Sequence, residues 1–372
     1  MTTDVLQLAS DLIAIKSVSQ ISNVAVSDRI EEALTQADFT VERLTYTDDA
    51  GFEKVSLVGK KGEGQGGLGF FSHSDTVPGA EDDWAPYDPV QKEGRLLGRG
   101  SCDMKGPLAA TMTAAMEADV RELKQPLFVV VAADEEVGYG GARQIAAESE
   151  LLNEEGWPTW GVIAEPTELR PVYAHKGGYQ VSVTAHGRAA HTSTDRGISA
   201  NFLIAPFLAE MAELVQLFKS DERFMNHEFE PPTNGFNMVM TDHGCASNVT
   251  AARTDVKLSL RAMPDDGHEE AIEMIMASAR KYNLEASHRG AGPFYTSATA
   301  DIVQAACRAT EIESAETVPF GTEAMVYQDF AELVVLGPGN IAQAHTVGEF
   351  IDIAQLTQSV DVYGTMIREL CG

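Results

Sequence analysis

Side chains of the kinds that bind metal ions follow strand-like or glycine-rich segments at five separate places in this chain of 372 residues. Ligands of sheets with parallel strands gather at the carboxyl ends of the strands, so these places are expected to meet in one crevice. Two histidines and several carboxylates are the ligands and general base that a pair of divalent ions requires. The residues concerned are His73, Asp103, Glu135, Glu136, Glu165 and His345. The combination predicts a metal-dependent hydrolase.

Taken one at a time, these residues also have ordinary structural explanations. Asp103 follows a glycine-rich turn and could simply cap the helix after it. Glu135 and Glu136 would elsewhere be a solvated pair, but here they follow a buried strand, where charges need a partner or an ion. His73 and Asp75 alternate at a strand end and point the same way. Asp75 could therefore accept a hydrogen bond from the ring of a metal-binding His73.

Composition excludes several classes of function. The net charge of −29 argues against binding to nucleic acid or to an anionic membrane surface. The four cysteines are scattered, which disfavours a disulfide framework or a zinc knuckle and fits a reducing compartment. The N-terminal residues lack a signal-peptide pattern, and the longest apolar run, 127–133, is far short of a membrane span. We expect a cytoplasmic protein.

Strand-like and helix-like segments alternate over most of the chain, which predicts an α/β fold. We expect a mixed, mostly parallel sheet flanked by helices as the catalytic domain. Its predicted strands are 39–46, 54–59, 68–72, 127–133, 160–164 and 333–336, and its first helices are 5–15, 26–37 and 107–120.

The order of helix-like and strand-like segments is different between residues 176 and 290. The order strand, helix, strand, strand, helix, strand is that of a ferredoxin-like α+β domain. Because His345 lies beyond this segment and the other candidate ligands precede it, the segment is expected to be an insertion. The predicted domains are therefore a discontinuous catalytic domain, 1–175 and 291–372, and an inserted lid or dimerisation domain, 176–290.

Competing motifs are weak. The segment 62–67 matches a Gly-x-Gly-x-x-Gly pattern but precedes a strand, so a loose hairpin turn is the better interpretation. The chain contains no Gly-x-Ser-x-Gly, no phosphate-binding loop and no His-Glu-x-x-His. Serine hydrolases, nucleotide-dependent enzymes and single-zinc proteases lose support.

Four further residues are candidates for substrate contacts. His191 could be a surface histidine, and Asn248 a turn residue. Arg261 ends a predicted strand and could either be surface charge or clamp a substrate carboxylate. Glu323, in a Gly-Thr-Glu-Ala segment, would most often be a solvated acid.

Four short motifs recur in this order along the chain: Ser-His-Ser-Asp-Thr-Val-Pro at 72–78, Asp-Met-Lys-Gly at 103–106, Asp-Glu-Glu at 134–136 and Ala-Glu-Pro-Thr at 164–167. Through these motifs, almost the whole chain resembles the di-zinc amidohydrolases that include acetylornithine deacetylase, succinyl-diaminopimelate desuccinylase, aminoacylase and glutamate carboxypeptidase. Within that family, the segments 170–177, 321–324 and 336–345 look most like acetylornithine deacetylase.

The resemblance implies two divalent ions, zinc or cobalt, with Asp103 bridging both. His73 and Glu165 would complete one ion, and Glu136 and His345 the other. It further implies that Glu135 is the general base and that Asp75 supports His73. His191 and Asn248 would polarise the scissile carbonyl from the lid, and Arg261 would hold the substrate carboxylate. Members of this family often dimerise through the lid, so His191 could act across a subunit boundary.

The expected function is hydrolysis of an N-acyl amino acid, with N-acetyl-ornithine, an intermediate of arginine biosynthesis, favoured because the acid Glu323 would suit its ammonium. The alternatives are an N-succinyl-diaminopimelate desuccinylase, a di-zinc carboxypeptidase or dipeptidase, and a non-catalytic metal-binding homologue.

Two segments depart from the family pattern. Residues 194–201 lack the usual proline, and Val347-Gly348-Glu349 lacks the usual aspartate before the glutamate.

Overall fold

The computed structural model describes residues 4–372. Its helices are α1 Val5–Ala14, α2 Val24–Gln36, α3 Lys105–Glu117, α4 Gly140–Glu148, α5 Glu150–Asn153, α6 Ala200–Ser220, α7 His268–Lys281, α8 Asp301–Thr310, α9 Ala324–Tyr327 and α10 Ile353–Cys371. Its strands are β1 Thr40–Thr47, β2 Glu53–Lys61, β3 Leu68–His73, β4 Val90–Lys92, β5 Arg95–Leu97, β6 Leu127–Ala132, β7 Trp160–Ile163, β8 Val172–His175, β9 Gly177–His186, β10 Asn237–Thr241, β11 Arg253–Ala262, β12 Glu285–Ala291, β13 Phe294–Tyr295, β14 Glu316–Val318, β15 Glu332–Val335 and β16 Phe350–Asp352.

The chain divides into two compact units. The first runs to Ala174 and continues through Thr296–Glu316 and Thr322–Gly372. The second consists of His175–Tyr295 and Thr317–Gly321. The segment 176–290, expected to be an insertion, lies within the second unit, which also takes in the short piece 317–321 that the sequence did not indicate.

The main sheet of the first unit places four parallel strands at its centre. Neighbouring strands follow the order β1-β2-β6-β3-β7-β15-β8. The pairs β6/β3, β3/β7 and β7/β15 are parallel, and the outer pairs are antiparallel. Every residue of β3 and β6 is buried, because helices cover both faces of a parallel sheet. Their continuous apolar sequences follow from this burial.

One apolar core joins this sheet to α1, α3 and α10. Leu12, Phe70, Leu108 and Tyr363 are fully buried within it, and the rings of Phe70 and Tyr363 meet edge to face at 5.2 Å. Helix α3 begins at Lys105, slightly before the predicted start, and Pro107 lies in its first turn, where a missing N–H costs little.

The glycine-rich segment 62–67 does not form the expected hairpin turn. It connects β2 to β3, but β6 lies between these two strands, antiparallel to one and parallel to the other. The segment is therefore a crossing connection over the end of β6. Gly67 has a φ of +85°, and a Cβ there would meet the main-chain oxygen of Pro126 at 1.9 Å, so only glycine fits. Local sequence does not reveal which distant strand will intervene.

The second unit has the predicted ferredoxin-like arrangement. Its sheet runs β10-β11-β9-β12, with all pairs antiparallel. Buried residues of α6, including Ile204 and Phe207, pack with Val181, Val256 and Ile275 in a separate core. Within residues 4–372, α6 is the one helix that is long and apolar enough to cross a membrane, a test that core helices also pass.

Candidate metal centre

The candidate ligands of the first unit converge at the carboxyl edge of the parallel strands. His73 is the last residue of β3, and Glu165 follows the end of β7 by two residues. Glu135 and Glu136 form a short 3₁₀ turn just after β6. The loop that follows β15 carries His345, which has a positive φ of 63°. Strand order thus brings together side chains that are far apart in sequence.

Two groups of ligand atoms lie at this edge of the sheet, and both groups contain Asp103. In the first group, His73 Nε2 is 3.2 Å from Asp103 Oδ1 and 3.6 Å from Glu165 Oε1. In the second group, His345 Nε2 is 3.2 Å from Asp103 Oδ2 and 3.1 Å from Glu136 Oε2. The two oxygens of Asp103 therefore face different histidines.

These spacings fit divalent ions in tetrahedral sites. Zinc bonds to nitrogen and oxygen of about 2.0–2.1 Å imply neighbouring ligand atoms about 3.3–3.4 Å apart. The observed separations of 3.1–3.6 Å bracket that value. In addition, Nε2 of the fully buried His73 has no hydrogen-bond partner within residues 4–372. A buried ring nitrogen aimed at carboxylates without a hydrogen bond suits a metal ligand.

The charges of the cluster also call for cations. Burial, and then the neighbouring Asp103, raise the pKa of Glu165 to about 7. Hydrogen bonds to Asp103 and Glu136 raise the pKa of the half-exposed His345 to about 10. Four carboxyl groups against two imidazoles leave an excess of buried negative charge, which is costly unless ions compensate it. The donor set is of the kind that two divalent cations satisfy.

Glu135 belongs to neither group of ligands. Its side chain is 10% exposed, and its Oε2 is 4.0 Å from His73 Nε2, the longest of these contacts. Burial raises the pKa of the Glu135 carboxyl well above its usual value, and Glu165 and Glu136 add to this although His73 opposes it. The residue is thus an acid beside both ligand groups that neither group uses.

Asp75 makes different contacts from those expected. Its carboxylate accepts hydrogen bonds from Ser19 Oγ at 2.7 Å and from the N–H groups of Glu135 and Glu136 at 3.1 and 3.4 Å. The ring Nδ1 of His73 lies 3.0 Å from the main-chain oxygen of Asp75 and 3.6 Å from its carboxylate. The ring is therefore oriented mainly by the main chain, while the carboxylate holds the turn that carries the two glutamates.

A buried lysine that was absent from the sequence-based candidates supports the same turn. Lys54 is fully buried on β2 and donates to Asp134 Oδ1 at 2.8 Å and to two main-chain oxygens of the loop 19–21. The hydroxyl of Tyr46 donates to the other oxygen of Asp134 at 2.7 Å. Asp134, with a φ of 54°, directly precedes Glu135. Strand β2 also contains Lys60 and Lys61, so the sequence alone does not single out Lys54.

Glu323 is buried and not solvated, contrary to the ordinary expectation for a loop acid. It is 0% exposed, and neither carboxylate oxygen has a hydrogen-bond partner within residues 4–372. Burial raises its pKa to about 8; His73 lowers it, while Glu165 and Asp75 raise it further. The carboxyl is thus close enough to the metal-binding cluster to respond to its charges.

The second unit brings His191 and Asn248 together. The N–H of Thr192 donates to the main-chain oxygen of Asn248 at 3.0 Å, and an isolated antiparallel bridge joins His191 to Val249. The His191 side chain is exposed, with its Nδ1 2.7 Å from the hydroxyl of Ser193.

Arg261 lies at the opposite end of the same sheet. Strand β11 starts at Arg253, next to the end of β9 that leads to His191, and Arg261 pairs with Gly178 near the start of β9. The strand rise of about 3.3–3.4 Å per residue puts Arg261 about 27 Å from Arg253. Among residues 4–372, the guanidinium of the exposed Arg261 has no carboxylate partner. Within one copy, Arg261 is therefore far along the sheet from the strand ends that lead to His191 and Asn248.

Comparison with known proteins agrees with this geometry. Residues 69–369 match peptidase family M20/M25/M40, and the chain belongs to this family. It is a hydrolase, and each of its two groups of ligand atoms could hold a metal ion.

Individual relatives are similar over nearly their whole length. The chain is 33% identical to an acetylornithine deacetylase from Myxococcus xanthus, covering 98% of this chain and 96% of the relative. Its fold is similar to that of a tripeptidase from Staphylococcus aureus, with a TM-score of 0.75 and 18% identity over 98% of this chain and 97% of the other. A dinuclear metal-binding peptidase of family M20 from Bacillus subtilis has a TM-score of 0.66 and 16% identity over 99% and 97% of the two chains.

Proposed function

We propose that the chain hydrolyses the amide bond of N-acyl amino acids and that N-acetyl-ornithine is its favoured substrate, as in arginine biosynthesis. The observation that carries this proposal is the arrangement of two ligand groups sharing Asp103, with Glu135 beside them and used by neither. The similarity to a protein named acetylornithine deacetylase supports the choice of substrate.

The proposed metals are two zinc ions, with cobalt as the alternative, since imidazole and carboxylate donors suit both. His73, Asp103 and Glu165 would hold one ion, and Asp103, Glu136 and His345 the other. Such ions supply a Lewis acid and lower the pKa of water.

Proton transfer is the proposed task of Glu135. Hydrolysis forms one bond from a water oxygen to the acyl carbon and breaks the C–N bond. Glu135 would accept the proton that the attacking water loses and deliver it to the leaving nitrogen. Asp75 would keep Glu135 in place, since its carboxylate bonds to the N–H of that residue at 3.1 Å.

The substrate would be recognised by charge at both of its ends. Arg261 has no carboxylate partner within residues 4–372, and such a guanidinium can hold a substrate carboxylate through two parallel hydrogen bonds. The buried Glu323 carboxyl has no hydrogen-bond partner within residues 4–372. Once bound metal ions favour its ionised form, it would suit the side-chain ammonium of an ornithine derivative. The variant Glu323→Gln carries a neutral amide instead. It should therefore show a smaller ratio of kcat/KM for N-acetyl-ornithine to kcat/KM for neutral N-acetyl amino acids.

We further propose that the protein works as a dimer. His191 and Asn248 lie at one end of the lid sheet and Arg261 at the other, so one small substrate reaches all three only if a second copy supplies either His191 and Asn248 or Arg261. Strand β10 is at the sheet edge, where unpaired main-chain groups can pair with another copy. All its residues are exposed, and Val239 is 63% exposed.

A mixing experiment tests the dimer. Glu135→Gln and His191→Ala are each expected to be nearly inactive alone. If His191 acts across the subunit boundary, an equal mixture that has exchanged subunits should regain about one quarter of the wild-type activity, because half of the dimers are mixed and one of their two sites is intact. Persistent inactivity of a mixture shown to contain mixed dimers would disprove action across the boundary.

The substrate assignment is tested by direct competition. We expect N-acetyl-ornithine to be cleaved with a higher kcat/KM than N-succinyl-diaminopimelate or a glutamate-terminated dipeptide. Preference for either of the latter would refute the deacetylase assignment and leave the hydrolase. Cleavage of none of the three would refute this choice of substrates. We also propose a cytoplasmic location, in keeping with four free cysteines.

A further inference from the structure

A single buried carboxylate accepts several hydrogen bonds from the main chain of the loop that carries Asp103. Oε1 of Glu349 accepts hydrogen bonds from the N–H groups of Gly100, Cys102 and Asp103, at 3.1, 2.8 and 3.0 Å. Its other oxygen lies 2.5 Å from Nη1 of Arg99. Glu349 is 0% exposed. Converging main-chain N–H groups form an anion-binding concavity, and here the anion belongs to the protein itself.

Glu349 also belongs to the segment that supplies the second histidine. It follows His345 by four residues, and its main-chain oxygen accepts a hydrogen bond from the N–H of Gly98 at 3.0 Å. The strand after it, β16, pairs with β5 just ahead of the Asp103 loop. One side chain therefore ties together the two segments whose ligands, Asp103 Oδ2 and His345 Nε2, lie 3.2 Å apart.

We propose that Glu349 is a positioning residue of the metal centre. It fixes the main chain of Asp103, the ligand shared by both groups, and keeps the His345 segment beside it. Glu349 is not itself in either ligand group. The inference rests on the two-metal centre proposed above and is independent of which substrate is cleaved.

Glutamine is the sharpest replacement at this position. Glu349→Gln preserves the shape but leaves one acceptor oxygen, so an NH₂ donor must face either the three N–H groups or Arg99. The matched control is Glu42→Gln. Glu42 also accepts from main-chain N–H groups, those of Glu150 and Leu151, and none of its partners is a candidate ligand.

Zinc affinity, measured without substrate, is the readout. Metal-free wild-type protein and both variants are titrated with zinc against a chromophoric chelator, and circular dichroism of the metal-free forms checks the fold. We expect Glu349→Gln to weaken zinc binding about 10–100-fold, as losses of groups that orient a ligand do. Both equivalents should be affected, because Asp103 serves both, and Glu42→Gln should bind as the wild type does.

Wild-type affinity in folded Glu349→Gln would overturn the proposal, even if its melting temperature fell, since that result means a structural role alone. A second measurement needs no variant. Amide hydrogen exchange of the metal-free wild type should already show protection at Gly100, Cys102 and Asp103. Protection that appears only after zinc is added would equally refute a preformed loop. Neither measurement depends on turnover, so failure here and failure of the deacetylase assignment are distinguishable.

Discussion

Replacing Glu323 by glutamine should stabilise the metal-free protein, and the gain should grow with pH. The carboxyl of Glu323 is fully buried and has no hydrogen-bond partner within residues 4–372. Its burial raises the pKa to about 8, against 4.5 for an exposed glutamate. Ionisation of this group in the folded chain therefore costs free energy that its ionisation in the unfolded chain does not.

The size of the effect follows from the two pKa values. Each pKa unit corresponds to about 1.4 kcal/mol, so ionising Glu323 in the fold costs about 5 kcal/mol at most. Between pH 4.5 and about 8, the folded chain keeps the proton that the unfolded chain has lost. The free energy of unfolding that this group contributes is fully present below pH 4.5 and declines through that window. Glutamine carries no charge and should remove this decline.

Urea unfolding of the metal-free proteins measures the difference. Wild type, Glu323→Gln and the control Glu313→Gln, at an exposed acid of the same unit, are compared at about pH 5 and about pH 8.5. We expect the advantage of Glu323→Gln over wild type to be larger by a few kcal/mol at the higher pH, with no such change for the control. An advantage that is the same at both pH values would refute the reasoning. Full metal loading should shrink the effect, because nearby cations stabilise the ionised carboxylate.

Three further predictions concern the reaction. Glu135→Gln should keep both metal ions by elemental analysis while kcat falls about 10²–10⁴-fold, because only proton transfer is removed; loss of one metal equivalent would instead make Glu135 a ligand. His345→Ala should retain close to one ion per chain, and two tightly held ions with normal activity would contradict its place in the second ligand group. Arg261→Met should raise KM for carboxylate-bearing substrates about tenfold or more with little change in kcat, because the ion pair is equally present before and during the reaction. An unchanged KM would return Arg261 to the class of surface charges.

Much of the candidate metal centre could be predicted from the sequence because its residues follow recognisable strands. Parallel strands buried on both faces leave continuous apolar runs, and a charged residue directly after such a run lies at the carboxyl edge of the sheet. His73, Glu136 and Glu165 are all of this kind. The ferredoxin-like unit was predictable for a similar reason, since its helices and strands have different periods and occur in a fixed order.

Other features depend on which distant segments meet, and no local pattern encodes that. The glycine-rich segment 62–67 looked like a hairpin turn because nothing nearby shows that β6 enters between β2 and β3. The separation of His191 from Arg261 likewise depends on the register of β9 against β11, although both residues belong to one predicted domain.

Glu349 shows the same limit within the metal centre. In the sequence it was only part of a departure from the family pattern, but in the structure its carboxylate accepts three main-chain hydrogen bonds from the loop of Asp103. A side chain that binds main-chain N–H groups cannot be recognised from the residue types of its partners, because every residue except proline offers the same donor. The sequence therefore determined which side chains could bind the metals, and only the tertiary structure decided which residues hold those side chains in place.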